Sequence, residues 1–387
     1  MKKIAVLTAT RAEYGLLRPV IARLLDEKVF DVEVIVTGMH LSPAFGDTYR
    51  EIEQDGIAIK KKIEILLSSD TPTGMSKAMG LAMISFADYF SESRPDGLLV
   101  LGDRFETIAV CCVAVNAGIP IFHMHGGELT EGAVDDAFRH SITKMSYLHF
   151  TSTETYRKRV IQMGENPNRV FCTGATGVEN VMHTQLYTKD DLMDELSIEH
   201  TNRYVVVTFH PVTLEYNTAE SQCTALIKSM RQHPEFEYIV TKSNADANGM
   251  IINNMMEEFA ATTKNVHCFA SLGMKRYLSA LKYCEFMIGN SSSGIIEAPS
   301  FKIPTINIGN RQKGRVQAAS VINCLPETDN ICMAIDKATS PKFRKMISDI
   351  HNPYGDGTAS RQICKILKDE FLHNEIGIMK KFFDVNI

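Results

Sequence analysis

Gly289-Asn290-Ser291-Ser292-Ser293-Gly294 follows the apolar run 286–288 and leads into Ile295-Ile296-Glu297. A glycine- and serine-rich turn between a strand and a helix gathers backbone N–H groups and hydroxyls, an arrangement that suits a phosphate, although an ordinary capped helix has the same composition. It is not a P-loop, because Ile295-Ile296 stand where Lys-Ser/Thr is required. No G-x-G-x-x-G follows the first strand either, which argues against a dinucleotide redox enzyme. Glu297, one turn further on, could accept paired hydrogen bonds from a ribose diol or lie solvated on the surface. Thr8-Ala9-Thr10-Arg11-Ala12-Glu13-Tyr14-Gly15 opens the first helix, where Arg11 could offer a planar, permanently charged fork to a diphosphate.

A second group of residues is suited to moving protons. Gly102-Asp103-Arg104 ends an apolar strand, and His123-Met124-His125-Gly126-Gly127-Glu128 ends the next one. Asp135-Asp136-Ala137-Phe138-Arg139-His140 begins a helix, where carboxylates suit the dipole. The spacing brings Asp135 to Arg139 and Asp136 to His140, one turn apart. Taken singly, each carboxylate reads as a cap or a salt-bridge partner. H-x-H-x-x-E without a nearby thiol is a weak zinc signal, so no metal is expected. Acids and histidines gathered near a phosphate cradle favour acid–base chemistry beside a leaving nucleotide.

These residues must be positioned by repeated strand–helix units. Candidate strands fall at 4–8, 32–37, 62–66, 97–101, 119–123, 148–151 and 170–173, then at 204–209, 238–241, 266–269, 286–288 and 305–308. Helical patterns lie between them, among others at 14–28, 75–93, 105–117, 135–145 and 250–262. The alternation predicts an α/β fold of two Rossmann-like, doubly wound domains with parallel sheets covered on both faces. The expected N-terminal domain is 1–180 and the C-terminal domain 181–365, with a closing helical segment at 366–387 that could return to the first. Polar residues collect just past strand C-termini, at 8–15, 102–106, 123–128, 210–213, 243–246 and 289–293. Two such edges facing each other would make a cleft for substrate.

The chain has 387 residues, beyond the size at which one core keeps growing, with 44% hydrophobic and 22% charged residues. A net charge of −5 gives no basic footprint for nucleic acid or an anionic membrane. The apolar run 4–7 is too short for a signal peptide, and no run reaches the roughly 18 residues of a membrane span. The nine cysteines show no CxxC pair, as expected of reduced thiols in a cytoplasmic protein.

Together these stretches resemble the UDP-N-acetylglucosamine 2-epimerase family, and within it the hydrolysing branch that starts sialic acid biosynthesis. The matching features are Thr10-Arg11-Ala12-Glu13-Tyr14, Thr37-Gly38-Met39-His40, Gly102-Asp103-Arg104, Gly126-Gly127-Glu128, Asp135-Asp136 with Arg139-His140, and Phe209-His210-Pro211. Gly289-Asn290-Ser291-Ser292, Arg311-Gln312 and Asn352-Pro353-Tyr354-Gly355-Asp356-Gly357 complete the series in family order. The resemblance implies a GT-B-like pair of domains, commonly dimeric, with a UDP-sugar substrate and neither metal nor redox cofactor. It implies substrate binding by Arg11, Gly15, Arg104, His210, Asn244, Leu272, Ser291, Ser292, Glu297 and Arg311, and acid–base roles for Asp103 and Asp135. Many members carry a Glu where this chain has His125, so the remaining protonic role falls to His125 or to Glu128.

The implied reaction releases UDP and N-acetylmannosamine. C2 of the sugar has no adjacent carbonyl, so simple deprotonation and return is chemically implausible. Anti elimination of UDP across C1–C2 gives a 2-acetamidoglucal, and water then adds at C1 as C2 is reprotonated. The same reaction on UDP-N,N'-diacetylbacillosamine, for legionaminic acid, is the alternative substrate reading. Non-hydrolysing epimerisation, glycosyl transfer and an idle nucleotide-sugar sensor are the competing functions.

Overall fold

A computed structural model describes the chain except residues 68, 70, 132–133, 201–202, 213–214, 216–217, 244–248 and 386–387. It divides into two compact units. The first comprises Met1–Glu128, Val134–Asn180 and Tyr354–Ile387; the second comprises Leu129–Ala133 and Val181–Pro353.

The first unit holds strands β1 (Lys2–Thr8), β2 (Phe30–Thr37), β3 (Ile59–Ile63), β4 (Gly97–Leu101), β5 (Ile121–Met124), β6 (Leu148–Thr151) and β7 (Val170–Cys172). They form one parallel sheet in the order β3-β2-β1-β4-β5-β6-β7. The apolar strands are explained by cover on both faces. Ile4 and Val6 join one core cluster with Leu17, Ile21 and Leu24 of the helix Arg11–Asp26. Ala5 and Leu7 face the other, with Phe86 and Phe90 of the helix Pro72–Ser93 and Val110 of the helix Phe105–Asn116.

The second unit holds β8 (Tyr204–Thr208), β9 (Glu237–Thr241), β10 (Val266–Phe269), β11 (Met287–Gly289), β12 (Thr305–Ile308) and β13 (Val321–Cys324), in the parallel order β10-β9-β8-β11-β12-β13. Val205 and Val207 enter one core cluster, Tyr204 and Val206 the other. Two strand expectations need correction. β13 was not foreseen, because Asn323 interrupts its apolar run and the strand closes the sheet at an edge. The third strand starts at Ile59 rather than 62; its Lys60, Lys61 and Lys62 are exposed on an edge strand, where lysines discourage further pairing.

The chain returns to the first unit at Tyr354, ahead of the 366 expected from sequence. The helix Ala359–His373 then buries Ile363, Cys364 and Leu367 in the cluster that contains Leu17 and Leu24. Ser360 fixes its first turn: the Glu179 carboxylate accepts from its backbone N–H at 2.7 Å and from its hydroxyl at 2.5 Å. All nine cysteines are free thiols. Among the described residues no helix is long and apolar enough to cross a membrane.

Strand order marks where ligands bind in such sheets. Connections turn opposite ways from β1 and β4 in the first sheet and from β8 and β11 in the second, and crevices open beyond the carboxyl ends at such switch points. The Arg11 and Asp103 segments follow β1 and β4; the His210 and Ser291 segments follow β8 and β11.

Candidate active site

In the first unit, Thr10 caps the helix Arg11–Asp26, its hydroxyl accepting from the Glu13 N–H at 3.2 Å. Glu13 reaches back to the Ala9 N–H at 2.6 Å, and burial pushes its carboxyl up to about 8. Arg11 stays half exposed, 3.7 Å from Glu51. The Gly15 carbonyl accepts from Asn180 Nδ2 at 2.8 Å. Arg104 uses its fork on buried Glu106, Nε to Oε2 at 3.1 Å and Nη2 to Oε1 at 3.2 Å.

Asp103 and Asp135 sit in contrasting surroundings. Buried Arg139 donates to Asp103 Oδ2, to Asp136 Oδ1 at 3.0 Å and to the Glu128 carbonyl at 2.9 Å. Arg139 acts by its charge on Asp135, one turn away as the spacing predicts, while its hydrogen bonds go to Asp136 and across to the end of β4. The pairing of Asp136 with His140 is present at 3.4 Å. Burial, and then the negative charge of Asp103, hold the Asp135 carboxyl above the usual aspartate range.

The loop after β5 is tightly built. His125 takes a left-handed backbone, φ 65°, a conformation tolerated by few non-glycine residues and often found at functional positions. Its N–H donates to the Phe150 carbonyl at 2.9 Å, and its Nδ1 lies 3.3 Å from Glu128 Oε1. Ser152 donates to that same carboxylate oxygen at 2.7 Å. Gly127, φ 79°, admits no side chain, since a Cβ would fall 2.6 Å from the Tyr156 carbonyl oxygen. Beneath the loop, burial drops the His123 imidazole to about 3, leaving it neutral. Its Nε2–H donates to the Gly102 carbonyl at 2.8 Å, directly before Asp103.

The second unit gathers its residues around Asn290. The Asn290 amide clasps the His210 backbone, accepting from its N–H at 2.7 Å and donating to its carbonyl at 2.7 Å. The Asn290 carbonyl in turn accepts from Arg311 Nη1 at 3.1 Å and Gln312 Nε2 at 2.8 Å. Three loops thus meet on one residue. Burial, then Arg311, lowers the His210 imidazole to about 3, so it offers ring hydrogen bonding rather than a full charge; its Nδ1 lies 3.0 Å from the Ser243 hydroxyl. At Gly289 a Cβ would collide with the Thr208 carbonyl oxygen, which brings the turn close to β8.

The helix expected after this turn is a single turn, Ser293–Ile296, followed by the 3-10 segment Ala298–Phe301. Its macrodipole is correspondingly small, and the turn's donors are amides rather than a helix end. Among the described residues the backbone N–H groups of Ser291 and Ser292 meet no acceptor. Glu297 ends the turn half buried. Leu272 buries its side chain in the core, and its carbonyl accepts from Arg276 Nε at 2.9 Å. Asn244 lies outside the described residues.

The sequence profile of the family described as UDP-N-acetylglucosamine 2-epimerase matches residues 22–368. The chain belongs to the UDP-N-acetylglucosamine 2-epimerase family. It is an enzyme acting on a nucleotide sugar. Within this family it is 41% identical, over 89% of both chains, to a hydrolysing GDP/UDP-N,N'-diacetylbacillosamine 2-epimerase of Campylobacter jejuni. It is 40% identical to a polysialic acid biosynthesis protein of Escherichia coli, over 100% of this chain and 98% of that one. These relatives place it in the hydrolysing branch of the 2-epimerases. Among solved structures, the Neisseria meningitidis UDP-GlcNAc 2-epimerase bound to UDP-GlcNAc superposes with a TM-score of 0.83 at 20% identity, covering 95% of this chain and 100% of that chain. That likeness establishes the fold, a GT-B-like pair of doubly wound α/β units.

In the sequence of this 2-epimerase, Arg139, Asn290 and Gln312 stand out only as parts of motifs. The partners Asp103, His210 and Asn290 lie in loops distant along the chain, so those hydrogen bonds had no local signal. Ser152 carried no signal at all.

Proposed function

We propose that the chain hydrolyses a UDP-linked N-acetylhexosamine with inversion at C2, releasing UDP and free N-acetylmannosamine or its diacetylated analogue. The observation that carries the reading is the unequal carboxylate pair: Asp103 bonded by Arg139, and Asp135 held toward its protonated form by burial and by Asp103. A carboxylate tied to a guanidinium beside one held above its usual range offers a proton acceptor and a proton donor together. Asp103 takes H2, the C2–H electrons form the C1–C2 double bond, and the C1–O bond breaks with its electrons on the departing diphosphate. Water then adds to C1 of the glucal while C2 receives a proton on the opposite face. Asp135 serves as acid, and the His125–Glu128 pair carries the second proton transfer. The overall reaction is redox-neutral.

UDP is assigned to Arg11, Gly15, Arg104, His210, Asn244, Leu272, Ser291, Ser292, Glu297 and Arg311. Charge on Arg11 and Arg311 and the amides of Ser291 and Ser292 favour the diphosphate as it leaves. The reading extends to a cytoplasmic homodimer. Leu81 and Ile84, one turn apart on the helix Pro72–Ser93, both lie exposed and offer an apolar face that a second copy would cover.

The two relatives divide between substrates, since one is named for diacetylbacillosamine and the other for polysialic acid biosynthesis. Incubating the protein with each UDP-sugar in deuterated water, with NMR of the products, tests the proposal. Free UDP and a reducing manno-configured sugar carrying deuterium at C2 are expected. Retention of the original hydrogen at C2 rules out the elimination, and a UDP-linked product rules out the hydrolysis.

A further inference from the structure

Arg139 is nearly inaccessible, with a side chain 4% exposed. A guanidinium so placed loses its hydration, and only complete pairing makes the burial tolerable. Here Nη2 donates to Asp103 Oδ2, while Nη1 is shared between Asp136 Oδ1 at 3.0 Å and the Glu128 carbonyl at 2.9 Å. One cation therefore joins three separate segments: the end of β4, the loop after β5 and the first turn of the helix Asp135–Met145.

The two ends of this connection are the two acid–base stations of the proposed reaction. Asp103 has one oxygen taken by Arg139; among the described residues no hydrogen bond reaches the other. A carboxylate held by one oxygen keeps the second aimed and available. On the other side, Arg139 fixes the backbone of Glu128, whose side chain meets Nδ1 of His125 and the Ser152 hydroxyl. Arg159, donating to the Gly127 carbonyl, secures the same loop one residue earlier.

We infer that Arg139 is the positioning residue of this active site, setting the aim of Asp103 and the 125–128 loop together without touching substrate. The role requires arginine. A planar fork can serve acceptors lying in different directions, whereas a lysine ammonium at the end of a flexible stem cannot reproduce both faces. Misaiming a reacting group by about 1 Å costs on the order of 10²-fold in rate.

The inference rests on the functional reading above, and the test separates the two. Wild type, Arg139→Lys and Arg139→Ala are assayed for UDP release, UDP affinity is measured by calorimetry, and guanidinium chloride is titrated into Arg139→Ala at concentrations too low to denature. Expected are a kcat loss of about 10²-fold in both variants, UDP affinity and KM near wild type, and saturable rescue by guanidinium but not by ammonium or urea. If Arg139→Ala does not fold, Arg139→Met combined with Asp136→Asn removes one unpaired charge and is read in its place. A kcat near wild type overturns the inference, as does a loss shared equally by kcat and UDP affinity, which marks general damage, or a kcat loss that guanidinium leaves untouched. Wild type that releases no UDP from either sugar overturns the functional reading, and this role with it; a turning-over wild type beside an unaffected variant overturns the role alone.

Discussion

Nδ1 of His125 stands 3.3 Å from Oε1 of Glu128, the same oxygen that accepts from Ser152 at 2.7 Å. The imidazole is oriented by a buried carboxylate that is itself oriented by a hydroxyl and by Arg139 through its backbone. An imidazole held this way is prepared to hand on a proton. His125→Gln and Glu128→Gln should each lower kcat by about 10²–10⁴-fold, the range for loss of one acid–base group. Ser152→Ala, which removes only the second support, should cost far less. Steady-state release of UDP ranks the three; equal losses would contradict the order.

Asp103→Asn and Asp135→Asn separate chemistry from nucleotide binding. Both should abolish most turnover, by about 10²-fold or more, while UDP binding by calorimetry stays near wild type. Asp103→Asn also leaves Arg139 facing a neutral amide, so it should lower the melting temperature more than Asp135→Asn does.

Glu13 makes a stability prediction with a definite sign. A solvated glutamate ionises near 4.5, whereas Glu13 in the folded chain ionises near about 8. Between those values the native state holds a proton that the unfolded chain has released, so this group's contribution falls as pH rises across the window. Glu13→Gln removes that dependence. Its melting temperature relative to wild type should therefore improve steadily from about pH 5 to about pH 8. A difference that is flat with pH would refute the assignment.

Asn290→Ala deletes both bonds to the His210 backbone and leaves that buried N–H and carbonyl without their partner. UDP affinity should drop about tenfold, corresponding to roughly 1.4 kcal/mol, with little change in kcat at saturation. Gly289→Ala, which drives a methyl into the Thr208 carbonyl, should instead prevent folding of the second unit, as seen in soluble yield and circular dichroism.

Much of this was legible in the sequence because parallel strands buried on both faces show it. Ala5 and Leu7 look to one core while Ile4 and Val6 look to the other, so no polar residue interrupts the run. The strand Val321–Cys324 escaped for the opposite reason: Asn323 spends its side chain on Asn307 and Gln317, and the apolar signal disappears. Polar residues past strand ends were visible as clusters, which is how Asp103, His125 and Ser291 came forward. What a local pattern cannot reveal is the partner. The spacing of Asp135 and Arg139 on one helix face suggested a pair, yet the end of β4 offers Arg139 a carboxylate no helical period could announce. The Asn290 clasp joins residues 80 apart in sequence.

Because the first unit takes its closing helix from residues beyond Tyr354, its synthesis and its completion are separated by the whole of the second unit. A nascent chain must carry the stripe of Leu17, Ile21 and Leu24 without Ile363, Cys364 and Leu367 to cover it until translation has passed them. The second unit, nearly continuous from Val181 to Pro353, has no such wait. Final assembly on the ribosome therefore runs against the order of the genetic message, with the earlier-made half sealed last.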